Sequence, residues 1–172
     1  MTETEQRTAI LAEARTWVGT PHIHQACEKG VGVDCAMLIR ACGEACGVMK
    51  VADADMARFA NYSRRPNPRR MTAALGTFLV SIESHQATLA DVMYLDWNIN
   101  RNMPMHVAIL AELGPAGRKR PTMIHALARP GRFVDTKQPV GRVVEHGFTA
   151  EWPGRVVSWW RYPGLADIAG TA

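Results

Sequence analysis

The chain has 172 residues, 47% hydrophobic and 21% charged, with a formal charge of +4 and a pI near 9.1. That length suits one domain with a real core rather than two, and the composition excludes collagen-like and strongly disordered classes. No run of about 18 apolar residues is present, and the acidic opening MTETEQRTAILAEARTW has no unbroken apolar stretch, so neither a membrane span nor a signal peptide is expected.

Residues 4–18 read as an amphipathic helix. Ile10, Leu11, Ala14, Trp17 and Val18 recur at helical spacing, and Gly19 with Pro21 supplies the stop. A loop, GTPHIHQACEKGVGV, leads to a second helix from Cys35 to about Gly47, with Asp34 as its N-cap and Leu38, Ile39, Cys42 and Cys46 on its buried stripe. The polar RRPNPRR precedes a third helix, on which Met71, Ala74, Leu75, Phe78, Leu79 and Ile82 keep the same period. From about residue 90 the pattern turns to short β-branched or aromatic runs: DVMYLDW, MHVAIL, TMIHALA, RFVD, GRVVEH and RVVSWWRY. Helices followed by strands predict an α+β fold with an antiparallel sheet. One domain is expected over 1–172, its core spanning about 7–164, with a loosely held tail at 165–172.

Much of the positive charge sits in Arg64-Arg65, Arg69-Arg70 and Arg118-Lys119-Arg120, among Pro, Gly and Asn. Solvated loops are the plain reading and a weak attraction to a polyanion the sharper one. No aromatic residues interleave with these clusters, so no specific nucleic-acid contact is expected.

In a chain folded in a cytosol, four cysteines point to a metal or to catalysis rather than to a disulfide framework. Cys35 and Cys42 stand seven residues apart on one helix, about 10 Å along its axis, beyond the reach of a disulfide. His22, His24, Cys27 and Cys35 have a spacing that matches no compact zinc site, and no metal is expected. Cys42 and Cys46 read as small buried hydrophobes. Cys35 differs. As the first residue of a helix it meets unpaired N–H groups and the positive dipole end, which favour a thiolate and make it the expected fast-reacting thiol.

A cysteine nucleophile needs a base and a group to orient that base. His106 in MPMHVAIL and His125 in TMIHALA flank Gly114-Pro115-Ala116-Gly117. If that segment is the turn of a hairpin, the two histidines stand directly opposite each other on one face, with Cβ atoms about 5 Å apart. Two unrelated half-buried histidines are the alternative.

In this order, GTPHIHQACEKGVGVDCAMLI, DVMYL, HVAIL, MIHAL and VVSWWRYPG resemble the NlpC family of papain-like cell-wall peptidases, and most of all its phage-tail and gene-transfer-agent branch. The resemblance covers about residues 7–164 and implies a nucleophile at a helix N-terminus packed on an antiparallel sheet or small barrel. Cys35 would be the nucleophile, His106 the general base and His125 the residue that orients it, without a cofactor. His22, His24, Gln25 and Asp34 would line the substrate side, with Asp34 capping the helix rather than acting as a base. His24-Gln25 suits the pocket rim or a capping role equally. His22 stands where many members have tyrosine, and Ala36-Met37 where many have Ser-Gly. His146 in VVEHGF is a weaker rival for the orienting place, and His85 is expected on the surface.

The family's chemistry implies hydrolysis of an amide in a peptidoglycan stem peptide. The branch implies a chain made in a bacterial cytoplasm and carried in a virion tail or phage-like particle, on tail-tip hub proteins, to aid genome delivery. Two other readings stand beside it. One is a structural tail-tip subunit with weak or lost catalysis; the other is an acyltransferase or amidase on another substrate.

Overall fold

The computed structural model describes residues 1–59, 61–63, 67–96, 105–112, 121–128, 141–148 and 153–165. Helix α1 spans Glu3–Thr16, where Thr2 and Glu5 form a capping box and Ile10, Leu11 and Ala14 turn inward. Two short paired strands, β1 (Cys27–Glu28) and β2 (Gly32–Val33), shape the loop before helix α2 (Cys35–Ala45). Helix α3 (Asp53–Phe59) was not legible in the sequence; it spans two turns and none of its residues is fully buried. Helix α4 (Pro68–Phe78) starts inside RRPNPRR, with Asn67 as N-cap and Pro68 in its first turn.

That helix is shorter than its apolar period suggests. The backbone turns extended at Leu79, and Ile82 belongs to a strand, β3 (Val80–Ile82). The remaining strands are β4 (Val92–Leu95), β5 (His106–Glu112), β6 (Thr122–Leu127), β7 (Arg142–Gly147) and β8 (Val156–Arg161). The expected strand at RFVD and the turn at 114–117 lie outside the described residues. The six longer strands form one sheet in the order β3-β8-β4-β5-β6-β7, with every neighbouring pair antiparallel. The architecture is therefore α+β.

Both faces of the sheet are apolar. Val92, Tyr94, Val107, Ile109, Ile124 and Ala126 join the helices in the main core, while Met93, Leu95, Ala108, Leu110 and Met123 form a second cluster on the alternate positions. Helix α2 packs on β5 and β6. At Gly43 in the middle of α2 a Cβ would lie 2.7 Å from Tyr162 Cε1. Tyr162 is fully buried there and donates its hydroxyl to the Ile39 carbonyl at 3.0 Å. Leu165 is also fully buried, and residues 166–172 lie outside the described residues.

One buried charge ties the ends of the chain together. Asp91 is fully buried just before β4 and accepts from Arg7 on α1 at 3.0 Å and from both Arg161 Nε and Nη2 on β8, at 3.0 and 2.8 Å. Two guanidinium groups on one carboxylate supply the pairing that a buried charge requires. Among the described residues no helix is long and apolar enough to cross a membrane.

Candidate active site

Asp34 takes the extended backbone of an N-cap and accepts the Met37 N–H at 3.0 Å, which starts α2 at Cys35 as the sequence suggests. Its other oxygen accepts the Gln25 N–H at 2.7 Å and the Tyr62 hydroxyl. Gln25 reaches that oxygen from the left-handed region, at φ 64°. The Tyr62 carbonyl in turn accepts from Gln25 Nε2 at 2.6 Å and lies 2.8 Å from His24 Nε2, while His24 Nδ1 stands 3.6 Å from Asp34. So His24, Gln25 and Asp34, read separately from the sequence, form one knot at the mouth of the site. Tyr62 is the member the sequence hid: it stands in a polar stretch with no periodicity around it. Burial, then the Asp34 charge, holds its phenol well above the usual range, so it stays the donor in this contact.

A cavity of about 1040 Å³ contains Cys35, His22 and His106. Cys35 as a residue is half-buried, and backbone groups of Val107, Ala36 and Cys35 itself favour the ionised form of its thiol. They are outweighed. Burial first, then the Asp34 carboxylate, pushes the thiol up to about 12. The residue that caps the helix also sets a negative charge beside the sulfur, which works against the pull of the helix start towards a thiolate. His106 moves the other way, to about 3, through burial and then the neighbouring His22 and His146. Burial thus favours the uncharged form of each group.

His106 and His125 do meet. His106 Nε2 lies 2.6 Å from His125 Nδ1, with ring centroids 4.9 Å apart and planes at 75°. They are not directly opposite, however. Ile109 pairs with Ile124 and Leu110 with Met123, and the register then shifts before Glu112 meets Thr122. Continued towards the start of β5, this register sets Ala108 against His125 and makes His106 its diagonal neighbour on the same face. The pairing is already offset at Glu112 and Thr122, whose midpoint is 117 and not the 115.5 of a turn centred on 114–117, and the irregularity beyond them takes back only half a residue of that offset.

His146 is neither a rival to His125 nor unplaced. It pairs with Met123 while His125 pairs with Val144, so the two histidines are diagonal neighbours on β6 and β7. Their Nε2 atoms are 2.8 Å apart, and His146 Nδ1 lies 2.9 Å from the Gly147 carbonyl. His125 is fully buried and His146 is 5% exposed. Burial lowers the pKa of both, His125 with added repulsion from His106 and His146. His85 is exposed, in a short turn at Ser84–Gln86. Among the described residues no three His, Cys, Asp or Glu side chains are grouped to hold a metal.

No protein-family model and no curated protein sequence matches the chain. Solved structures do. An NlpC/P60 family protein from Bacillus cereus superposes with a TM-score of 0.59 at 14% identity, covering 91% of this chain and 40% of its own. A protein of the NLP/P60 family described as similar to lipoprotein, from Staphylococcus aureus, gives 0.53 at 18% identity, covering 92% and 41%. NlpC2 from Trichomonas vaginalis gives 0.55 at 14%, covering 91% and 47%.

The chain has the NlpC/P60 fold.

At these identities the fold is what is shared, and the chain spans about two fifths of the length of the first two structures. Within that NlpC/P60 fold, Cys35 at the start of α2 and His106 at the start of β5 open into one cavity.

Proposed function

We propose that this chain is a cysteine peptidase that hydrolyses an amide bond of peptidoglycan stem peptides. The observation that carries the reading is Cys35 at a helix start, sharing a cavity with His106, whose far nitrogen is held by His125. His106 takes the thiol proton as the sulfur attacks the scissile carbonyl, so proton transfer accompanies attack instead of preceding it. The N–H of Cys35 at the helix start donates to the oxyanion. His106 then returns the proton to the leaving amine, and water hydrolyses the acyl-enzyme, its proton passing through His106 to the sulfur. The knot of Asp34, Tyr62, His24 and Gln25 faces the substrate beside the nucleophile.

The test is incubation with purified stem peptides under reducing conditions, with new termini read by mass spectrometry. Cleavage that disappears in Cys35→Ala and His106→Ala supports the reading. An intact peptide set with folded protein sinks it.

A second reading, acyl transfer to an acceptor other than water, is favoured by the apolar walls of the same cavity, among them Met37, Met49, Met56, Phe59 and Phe78. A product carrying an added amine in place of a free carboxylate would identify it. The motif resemblance supports a further placement, in a tail or phage-like particle that brings the enzyme to the wall. Its absence from purified particles would reject that placement.

A further inference from the structure

We propose that His146, anchored on the Gly147 carbonyl, sets the tautomer of His106 through His125, and so determines which nitrogen of His106 acts as base. The inference rests on the reading of His106 as the base and adds a positioning residue beyond Cys35, His106 and His125.

The chain of contacts has one possible polarity when all three rings are neutral. A carbonyl oxygen only accepts, so His146 Nδ1, 2.9 Å from Gly147 O, carries the hydrogen. A neutral imidazole has one N–H, so His146 Nε2 is an acceptor. His125 Nε2, 2.8 Å away, therefore donates to it, and His125 Nδ1 becomes an acceptor in turn. His106 Nε2, 2.6 Å from that atom, is then the donor. This leaves the lone pair of His106 on Nδ1, the nitrogen turned from the relay. One backbone carbonyl thus fixes the protonation pattern of three rings.

Neutrality is supported by the surroundings. His125 is fully buried and His146 nearly so, and burial lowers the pKa of both. The alternate positions of β4, β5 and β6 on this face hold Met93, Leu95, Ala108, Leu110 and Met123, none of which offers a competing charge. Among the described residues, the titratable groups that press on these rings include the histidines themselves and His22. Without an acceptor at position 146, the buried His125 Nε2–H loses its partner. His125 is then driven towards the tautomer that points its proton at His106, and His106 must move its own proton to Nδ1.

Ring-nitrogen NMR at neutral pH on ¹⁵N-histidine-labelled protein reads this directly. The expected wild-type pattern is Nε2–H on His106 and His125 and Nδ1–H on His146. His146→Leu should move His106 partly or wholly to Nδ1–H. It should also lower kcat about ten- to a hundredfold with KM unchanged, less than the loss of about 10⁴ seen when a catalytic histidine is held wholly in the wrong tautomer. His146→Gln, whose amide oxygen can accept from His125, should keep the wild-type tautomer and recover most of kcat. A wild-type His106 protonated on Nδ1, or an unchanged His106 signal in folded His146→Leu, overturns the proposal. If His146→Leu does not fold, the wild-type pattern and His146→Gln still decide it. Absence of peptide cleavage would count against the peptidase reading but leave the ring-nitrogen result intact, so the two failures are distinguishable.

Discussion

At Cys35, burial and the Asp34 charge outweigh the amides that point at the sulfur, and the thiol is held up at about 12. Cys27 is exposed, and its thiol is raised mainly by partial burial. Alkylation depends on thiolate fraction and access. Brief treatment of the substrate-free protein with iodoacetamide should therefore label Cys27 first, Cys35 more slowly and buried Cys42 least, as read by peptide mapping. Labelling of Cys35 ahead of Cys27 would show that His106 ionises it in the resting state. The candidate nucleophile was legible in the sequence because Asp-Cys at a helix start is a local pattern. Its ionisation was not, because the balance depends on burial in the folded chain and on the Val107 backbone group brought from β5. His146 was underrated for a similar reason: its partner is supplied by the pairing of β6 with β7, across residues that no short-range pattern links.

At the scale of elements, α2 shows how a helix former is sacrificed to packing. Glycine in a helix interior costs roughly 1 kcal/mol relative to alanine, yet Gly43 sits where a methyl group would meet Tyr162 and Met49 at 2.7 and 2.9 Å. Overpacking of this kind costs about 1–3 kcal/mol and exceeds the gain in helix propensity when the ring cannot move. Tyr162 is held by its hydrogen bond to Ile39, so Gly43→Ala should lower the melting temperature by a few degrees, measured by calorimetry. A rise in melting temperature would show that Tyr162 yields. The helices α1 and α2 and the strands β4 to β8 could be read from periodicity and β-branched runs. Helix α3 lacks a buried face and β3 continues an apolar helical stripe, so neither had a signal of its own. The β5–β6 register differs from the symmetric one because the strands are already offset at Glu112 and Thr122, which no residue in either strand announces.

For the molecule as a whole, the apolar second face of the sheet holds neutral histidines, and this makes stability depend on pH. In the unfolded chain a histidine takes up a proton near pH 6.5, whereas in the folded protein His106, His125 and His146 do so at lower pH. As pH falls below about 6.5 the unfolded chain binds more protons and stability drops, by about 1.4 kcal/mol per pH unit for each fully differential site. Glu5, Glu13 and Glu145, lowered from 4.5, add to this loss only below that value. Denaturant unfolding between pH 7 and 4.5 should therefore show falling stability already in the histidine range. A folded His125→Asn variant should show a shallower slope by roughly one site. A wild-type curve flat down to pH 4.5 would contradict the buried neutral rings.

The Asp34 carboxylate also has a dynamic consequence. It accepts the Gln25 amide from the loop and the Met37 amide from the first turn of α2, so two segments twelve positions apart share one latch. Neither can open for solvent exchange through that carboxylate without loosening the other's acceptor. Hydrogen exchange of the Gln25 and Met37 amides should accordingly rise together in Asp34→Asn, while amides in β6 keep their wild-type protection. Independent exchange at the two sites would mean that the loop breathes without disturbing the position of the thiol.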